Sequence, residues 1–131
     1  MFSLLPLLTM VSAGPVYISF QEDYKNVVLG GALTADSNAQ IIYDFRRPVC
    51  ATSPHFDEQN WTAFVYYVYN NDFKHVYNEL IAYHIENRTE SYAVPLQNTV
   101  KGDLSVWFAC GIASDIAYDS NFGQNFHFEI L

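Results

Sequence analysis

The sequence predicts an all-β fold, an antiparallel β-sandwich, on three observations. Short runs of β-branched and aromatic residues recur along the chain, most of them ended by Pro or by Asn/Asp-containing turns. Aromatics make up 17% of the 131 residues, 10 Tyr and 10 Phe against 2 Trp, while only 15% are charged. No repeat, low-complexity tract or long linker divides the chain, and this length buries one sizeable core but not two. The same composition excludes disorder, which goes with few aromatics and many charges.

The first element is a leader. Phe2 to Val11 is uncharged and apolar, and Val11-Ser12-Ala13 ends in the small residue that signal peptidase prefers. This predicts a signal peptide over 1–13 and a single domain over 14–131; the alternative is a buried first strand. Residues 38–45 (NAQIIYDF) read as a strand stopped by Arg46-Arg47-Pro48, and 51–60, with Pro54, as a loop. Residues 61–69 (WTAFVYYVY) carry the strongest strand signal, closed by Asn70-Asn71-Asp72. Phe73, Val76, Tyr77, Leu80 and Ile81 recur at helical spacing, yet 80–85 (LIAYHI) also suits a strand, and periodicity leaves both readings open. Strands are then predicted at 91–96, 104–112, 115–118 and 126–131, with a polar loop from Asp119 to Asn125.

Fourteen acidic against six basic residues give a net charge of -8. The basic residues (Lys25, Arg46, Arg47, Lys74, Arg88, Lys101) are scattered, which excludes a nucleic-acid partner, since counterion release needs them clustered. Cys50 and Cys110 predict one disulfide in an oxidising compartment, worth about 4 kcal/mol for a loop of that length; the alternative is two buried thiols. Asn60-Trp61-Thr62 and Asn87-Arg88-Thr89 are glycosylation sequons. Together with the leader these point to a secreted protein, and without a second hydrophobic segment no membrane association is expected.

Catalytic motifs are missing: there is no G-x-S-x-G, H-E-x-x-H or phosphate-binding glycine loop. The four His stand singly at 55, 75, 84 and 127, and Asp119-x-Asn121 opens like a calcium loop but falls out of register at Gly123. The expectation is a protein that is not an enzyme and holds no metal or cofactor.

One stretch carries a likeness. Tyr118-Asp119-Ser120-Asn121-x-Gly123-x-Asn125-Phe126 resembles the closing motif of starch- and glycogen-binding modules of carbohydrate-binding family 21, aromatic-Asp-Asn-Asn-x-Gly-x-Asn-aromatic, with Ser120 replacing an Asn. Residues 65–74 (VYYVYNNDFK) resemble the family's strand and turn, with Phe73 where Trp is usual. The likeness covers residues 61–131; residues 14–60 lack the family's usual opening strand. It implies an immunoglobulin-like sandwich that binds α-glucan without hydrolysing it. Under it, Trp107 and Tyr118 stack a glucan, Asp119, Asn121 and Asn125 sit in the ligand loop, and Phe73 stands in for the turn Trp. Trp61 and Tyr83 fall near a second aromatic site. A ring stacks on the C–H face of glucose, while amides meet its hydroxyl edges. Each position also has a plainer role: Trp107 and Phe73 in the core, Asn121 and Asn125 as turn formers. The alternative function is a secreted β-rich protein that binds a protein partner through an aromatic patch.

Overall fold

The computed structural model describes residues 15–23, 25–83 and 91–131. Residues 1–13, where a leader is expected, His84 and the Asn87 sequon lie outside the described residues.

The strands are β1 (Val16–Phe20), β2 (Asn26–Leu29), β3 (Ala39–Asp44), β4 (Thr62–Tyr69), β5 (Tyr77–Tyr83), β6 (Ser91–Pro95), β7 (Gly102–Ile112), β8 (Asp115–Asp119) and β9 (Phe126–Ile130). One short helix, α1 (Pro48–Ala51), follows β3, with Pro at its start. The strands form two packed sheets, ordered β2-β1-β3-β6 and β5-β4-β7-β8, with β9 also on β7. β7 is long enough, at 11 residues, to hold both final strands on one edge: β9 pairs with its first half and β8 with its second. The fold is therefore an all-β sandwich, as the strand and turn spacing predicts.

One pairing departs from the antiparallel expectation. β2 ends beside the start of β1, with Tyr17 opposite Leu29. Residues 30–38 then carry the chain to the other edge of β1, where Ala39 sits opposite Val16, so β3 runs parallel to β1.

Period-two alternation builds the core. Val16, Ile18 and Phe20 on β1 and Ala39, Ile41 and Tyr43 on β3 face Ala63, Val65, Tyr67 and Tyr69 on β4 and Leu104, Val106, Phe108 and Cys110 on β7. Phe20 packs its ring edge-on against Phe108 (4.7 Å) and Phe126 (5.1 Å). Burying each such side chain is worth about 1.5–3 kcal/mol.

The open stretch after Phe73 is a strand. β5 supplies the edge of β4 with backbone partners, and the ring of Tyr77 stacks on that of Tyr67 (5.1 Å, 7°). Its helix-like spacing has a local cause. A bulge between Ala63 and Phe64 shifts the register, so Ile81 and Ala82 are both buried in succession and strict alternation breaks.

Cys50 on α1 and Cys110 on β7 are disulfide-bonded, both buried. The bond ties the long β3–β4 connection to the centre of the second sheet.

Candidate functional site

The outer face of the second sheet carries aromatics where most sandwiches carry polar groups. Alternation sends Phe64 and Tyr66 on β4, Trp107 on β7 and Tyr118 on β8 outward, opposite the core residues between them. The register places Tyr66 across from Trp107, and Ala109 between Phe64 and Tyr118. Tyr66 and Trp107 stack at 5.6 Å and 9°, both half-buried. Phe73, 55% exposed in the β4–β5 turn, approaches Trp107 at 6.3 Å and is inclined by 33°. Phe64 lies 6.3 Å from Tyr66 at 39°. Trp107 is thus a surface residue, and Phe73 belongs to its cluster rather than to the core.

Tyr118, 58% exposed, is also a wall of a 570 Å³ cleft at one end of the sandwich. The other walls are Asn26, Val49, Ser120, Asn121 and Phe122. The β8–β9 loop here is held by its own bonds. The Asn125 N–H donates to the Ser120 carbonyl (2.7 Å), and the Asn121 side-chain amide donates to the Asn125 carbonyl (3.2 Å). Asn121 and Asn125 have left-handed backbones (φ 51° and 61°), as their residue type permits, so both do serve as turn formers. Phe122 shares that conformation (φ 57°), at a cost of about 1–2 kcal/mol, and its side chain is fully exposed.

Asp119 has a different place from the one its motif implies. It is 3% exposed and forms a buried ion pair with Arg47, which is 0% exposed. Arg47 Nε and Nη2 donate to the two carboxylate oxygens at 2.7 and 3.2 Å, and the Tyr43 hydroxyl donates to one of them at 2.6 Å. Arg47 Nη1 donates to the Gln21 carbonyl (2.9 Å), and the guanidinium lies 5.5–5.7 Å from the ring centres of Phe126, Tyr43 and Phe20. Burial, then the Asp119 carboxylate, push the Tyr43 phenol well above its ordinary value. Burial works against the Arg47 charge, but the bonds and field of Asp119 outweigh it and hold the guanidinium protonated. Asp119 fixes the floor of the cleft; it does not face a ligand.

Trp61 is likewise displaced from the surface. It is 0% exposed, packed between Phe45 (6.0 Å) and Phe56 (4.8 Å), because the 52–60 segment folds over it. No sugar reaches that ring. Tyr83 is 70% exposed on β5 but pairs at Thr62, four positions along β4 from the Trp107 pairing, roughly 13 Å away. It does not join the cluster.

A Ser, a His and an Asp also meet on this sheet, without the geometry of a hydrolase. Ser105 Oγ and the Asp103 carboxylate both lie 3.1 Å from the same ring nitrogen, His127 Nδ1, while Nε2 meets the Gln124 carbonyl at 3.0 Å. A nucleophilic triad needs Ser and Asp on opposite nitrogens and a reachable hydroxyl, and Ser105 is 0% exposed. Instead the group pins the β8–β9 loop to β7. Among the described residues, no cluster of three or more His, Cys, Asp or Glu could hold a metal, and no helix is long and apolar enough to cross a membrane.

Sequence reasoning missed Phe122, Tyr66 and Arg47. Phe122 had a signal, an aromatic between Asn and Gly in a turn. The Tyr66–Trp107 pairing needed the β4–β7 register, which only the folded chain supplies.

Fold and surface together define a disulfide-braced β-sandwich with an aromatic sheet face and an aromatic loop cleft. The chain belongs to DUF6209, a family of unknown function, whose family model matches residues 13–131. No curated protein matches it in sequence.

Proposed function

We propose that this domain is a secreted, non-catalytic binding module for α-glucan chains of the starch or glycogen type. The observation that carries the reading is that the Phe73–Trp107–Tyr66 cluster and Tyr118, a wall of the cleft, lie on one outward sheet face. Rings there offer stacking surfaces for sugar C–H faces, and Asn26, Ser120 and Asn121 offer hydroxyl partners beside them. The rings incline by 33° and 39° from the central stacked pair, which suits a curving α-linked chain better than the flat surface of crystalline cellulose. A neutral polymer is also compatible with a net charge of -8. The buried disulfide supports an oxidising compartment.

A protein partner is the second reading, favoured by aliphatic Leu80 and Ile116, 45% and 46% exposed on the same face. Retention on insoluble starch or glycogen, against cellulose and chitin, separates the two. Binding to the α-glucans, with a Kd in the micromolar to millimolar range typical of a few stacked rings and hydrogen bonds, is the expected result. Flow-through on every glucan column refutes the proposal.

A further inference from the structure

The outer sheet face contains a second depression, beside the aromatic cluster and walled on one side by its Phe64 and Tyr66. Its volume is 270 Å³, and Ala109 and Gly111 form its floor between Phe64 on β4 and Ile116 on β8. Gly111 is fixed as glycine: its φ is 143°, and a Cβ there would lie 2.2 Å from the Asp115 carbonyl oxygen. The floor itself is buried, Ala109 at 6% exposure, and the apolar surface left open to solvent is the Ile116 wall, 46% exposed.

Asn60 stands on the lip of the depression and Thr62 within it, the acceptor and hydroxyl positions of one sequon. Asn60 is exposed, while Trp61 between them is buried, so a glycan leaves the fold on the side where the depression opens.

We infer that Asn60 is N-glycosylated and that the first N-acetylglucosamine seats in this depression, covering Ala109, Gly111 and Ile116. In the transfer, C1 of that sugar bonds to Asn60 Nδ2 as its bond to a lipid-pyrophosphate donor breaks. The pyrophosphate leaves with the electron pair of the broken C1–O bond, and the proton that the amide gives up balances the charge of that leaving group. Once attached, the sugar's C–H face and acetamido methyl lie on the apolar floor, and its hydroxyls make the face polar. The occupant is tethered, so it needs little intrinsic affinity to stay in place. Neither occupancy nor seating depends on glucan binding.

The test uses protein secreted from insect cells with the other sequon removed (Asn87→Gln). Peptide mass mapping should find a glycan on Asn60. Trimmed enzymatically to one N-acetylglucosamine, this protein should melt about 2–4 °C above its Asn60→Gln counterpart. Ile116→Ser should erase that difference while leaving occupancy unchanged. Nuclear Overhauser contacts between the acetamido methyl and Ala109 or Ile116 report the seating directly. An unmodified Asn60 overturns the inference. So does a modified Asn60 with equal melting temperatures and no such contacts, because that sugar hangs free in solvent.

Discussion

The Arg47–Asp119–Tyr43 group decides what the loop motif does. An arginine with no exposed surface is tolerated only with its donors satisfied, and here they meet a carboxylate, a carbonyl and three ring faces. Asp119→Ala leaves that cation unpaired and should destabilise the fold by about 3–5 kcal/mol in denaturant titration. Tyr118→Ala, one residue away but exposed, should change stability by no more than about 0.5 kcal/mol. Equal losses for the two would place Tyr118 in the core. His55 is a second linchpin: Nδ1 bonds Glu58 and Nε2 meets Asp115 at 2.9 Å, joining the 52–60 segment to β8. The Glu58 hydrogen bond, aided by Asp115, raises the imidazole above its ordinary 6.5. A raised folded value means that this stabilisation is complete below pH 6.5 and fades as pH climbs through the folded value. Melting temperature should therefore fall over that window in the wild type and fall less in His55→Gln. At the alkaline end, burial lifts Tyr43 and Tyr67 above the ordinary 10.0 and pushes Tyr69 up to about 12. By the same sign, stability should decline from pH 10 upward, and a flat profile there would show these phenols to be solvated.

Among the elements, β4 and β7 were legible because β4 is β-branched or aromatic almost throughout and β7 carries an apolar run over 104–112 around Val106, Trp107 and Phe108. β5 was not, because the bulge beside Ala63 buries Ile81 and Ala82 in succession and breaks the alternation that marks a strand. β2 escaped notice for another reason: it is a four-residue edge strand with Val28 and Leu29 exposed, so it lacks a clean alternating pattern. β1 does alternate, with Val16, Ile18 and Phe20 buried, and was readable but not read. The candidate site divides along the same line. Trp107, Tyr118 and Phe73 were found from local motif and do share one surface. Asp119 and Trp61 were misplaced because their burial depends on Arg47 and on Phe45 and Phe56, partners distant in sequence or folded over them by a loop. The Cys50–Cys110 pairing was legible by count alone, and its energetic role follows from its span of 60 residues. Replacing both cysteines with Ser should cost about 4 kcal/mol by the chain-entropy argument, read as a lower denaturant midpoint. An unchanged midpoint would mean that the β3–β4 connection is already held by packing around Trp61 and Phe56.

At the scale of the whole molecule, the aromatics divide between two jobs. Those of inward register fill the space between the sheets. Those of outward register on β4, β7 and β8 remain on a face that no described element covers, and Tyr118 among them shares a cleft with Phe122. Rigid strands position that face, so its ring geometry is set before any ligand arrives, which limits the entropy lost on binding. The acidic surface keeps the domain dispersed without specifying the ligand. Calorimetric titration of the intact protein with a linear malto-oligosaccharide tests the glucan reading most directly, alongside Tyr118→Ala and Trp107→Ala. Saturable binding by the wild type in the micromolar to millimolar range is the expected result. Each variant should bind about 5–10-fold more weakly. Tyr118→Ala should keep its melting temperature, while Trp107→Ala, which loses its stack on Tyr66, should melt lower but stay folded. A folded wild type that gives no binding heat at millimolar sugar, and does not retain on starch, contradicts the glucan reading.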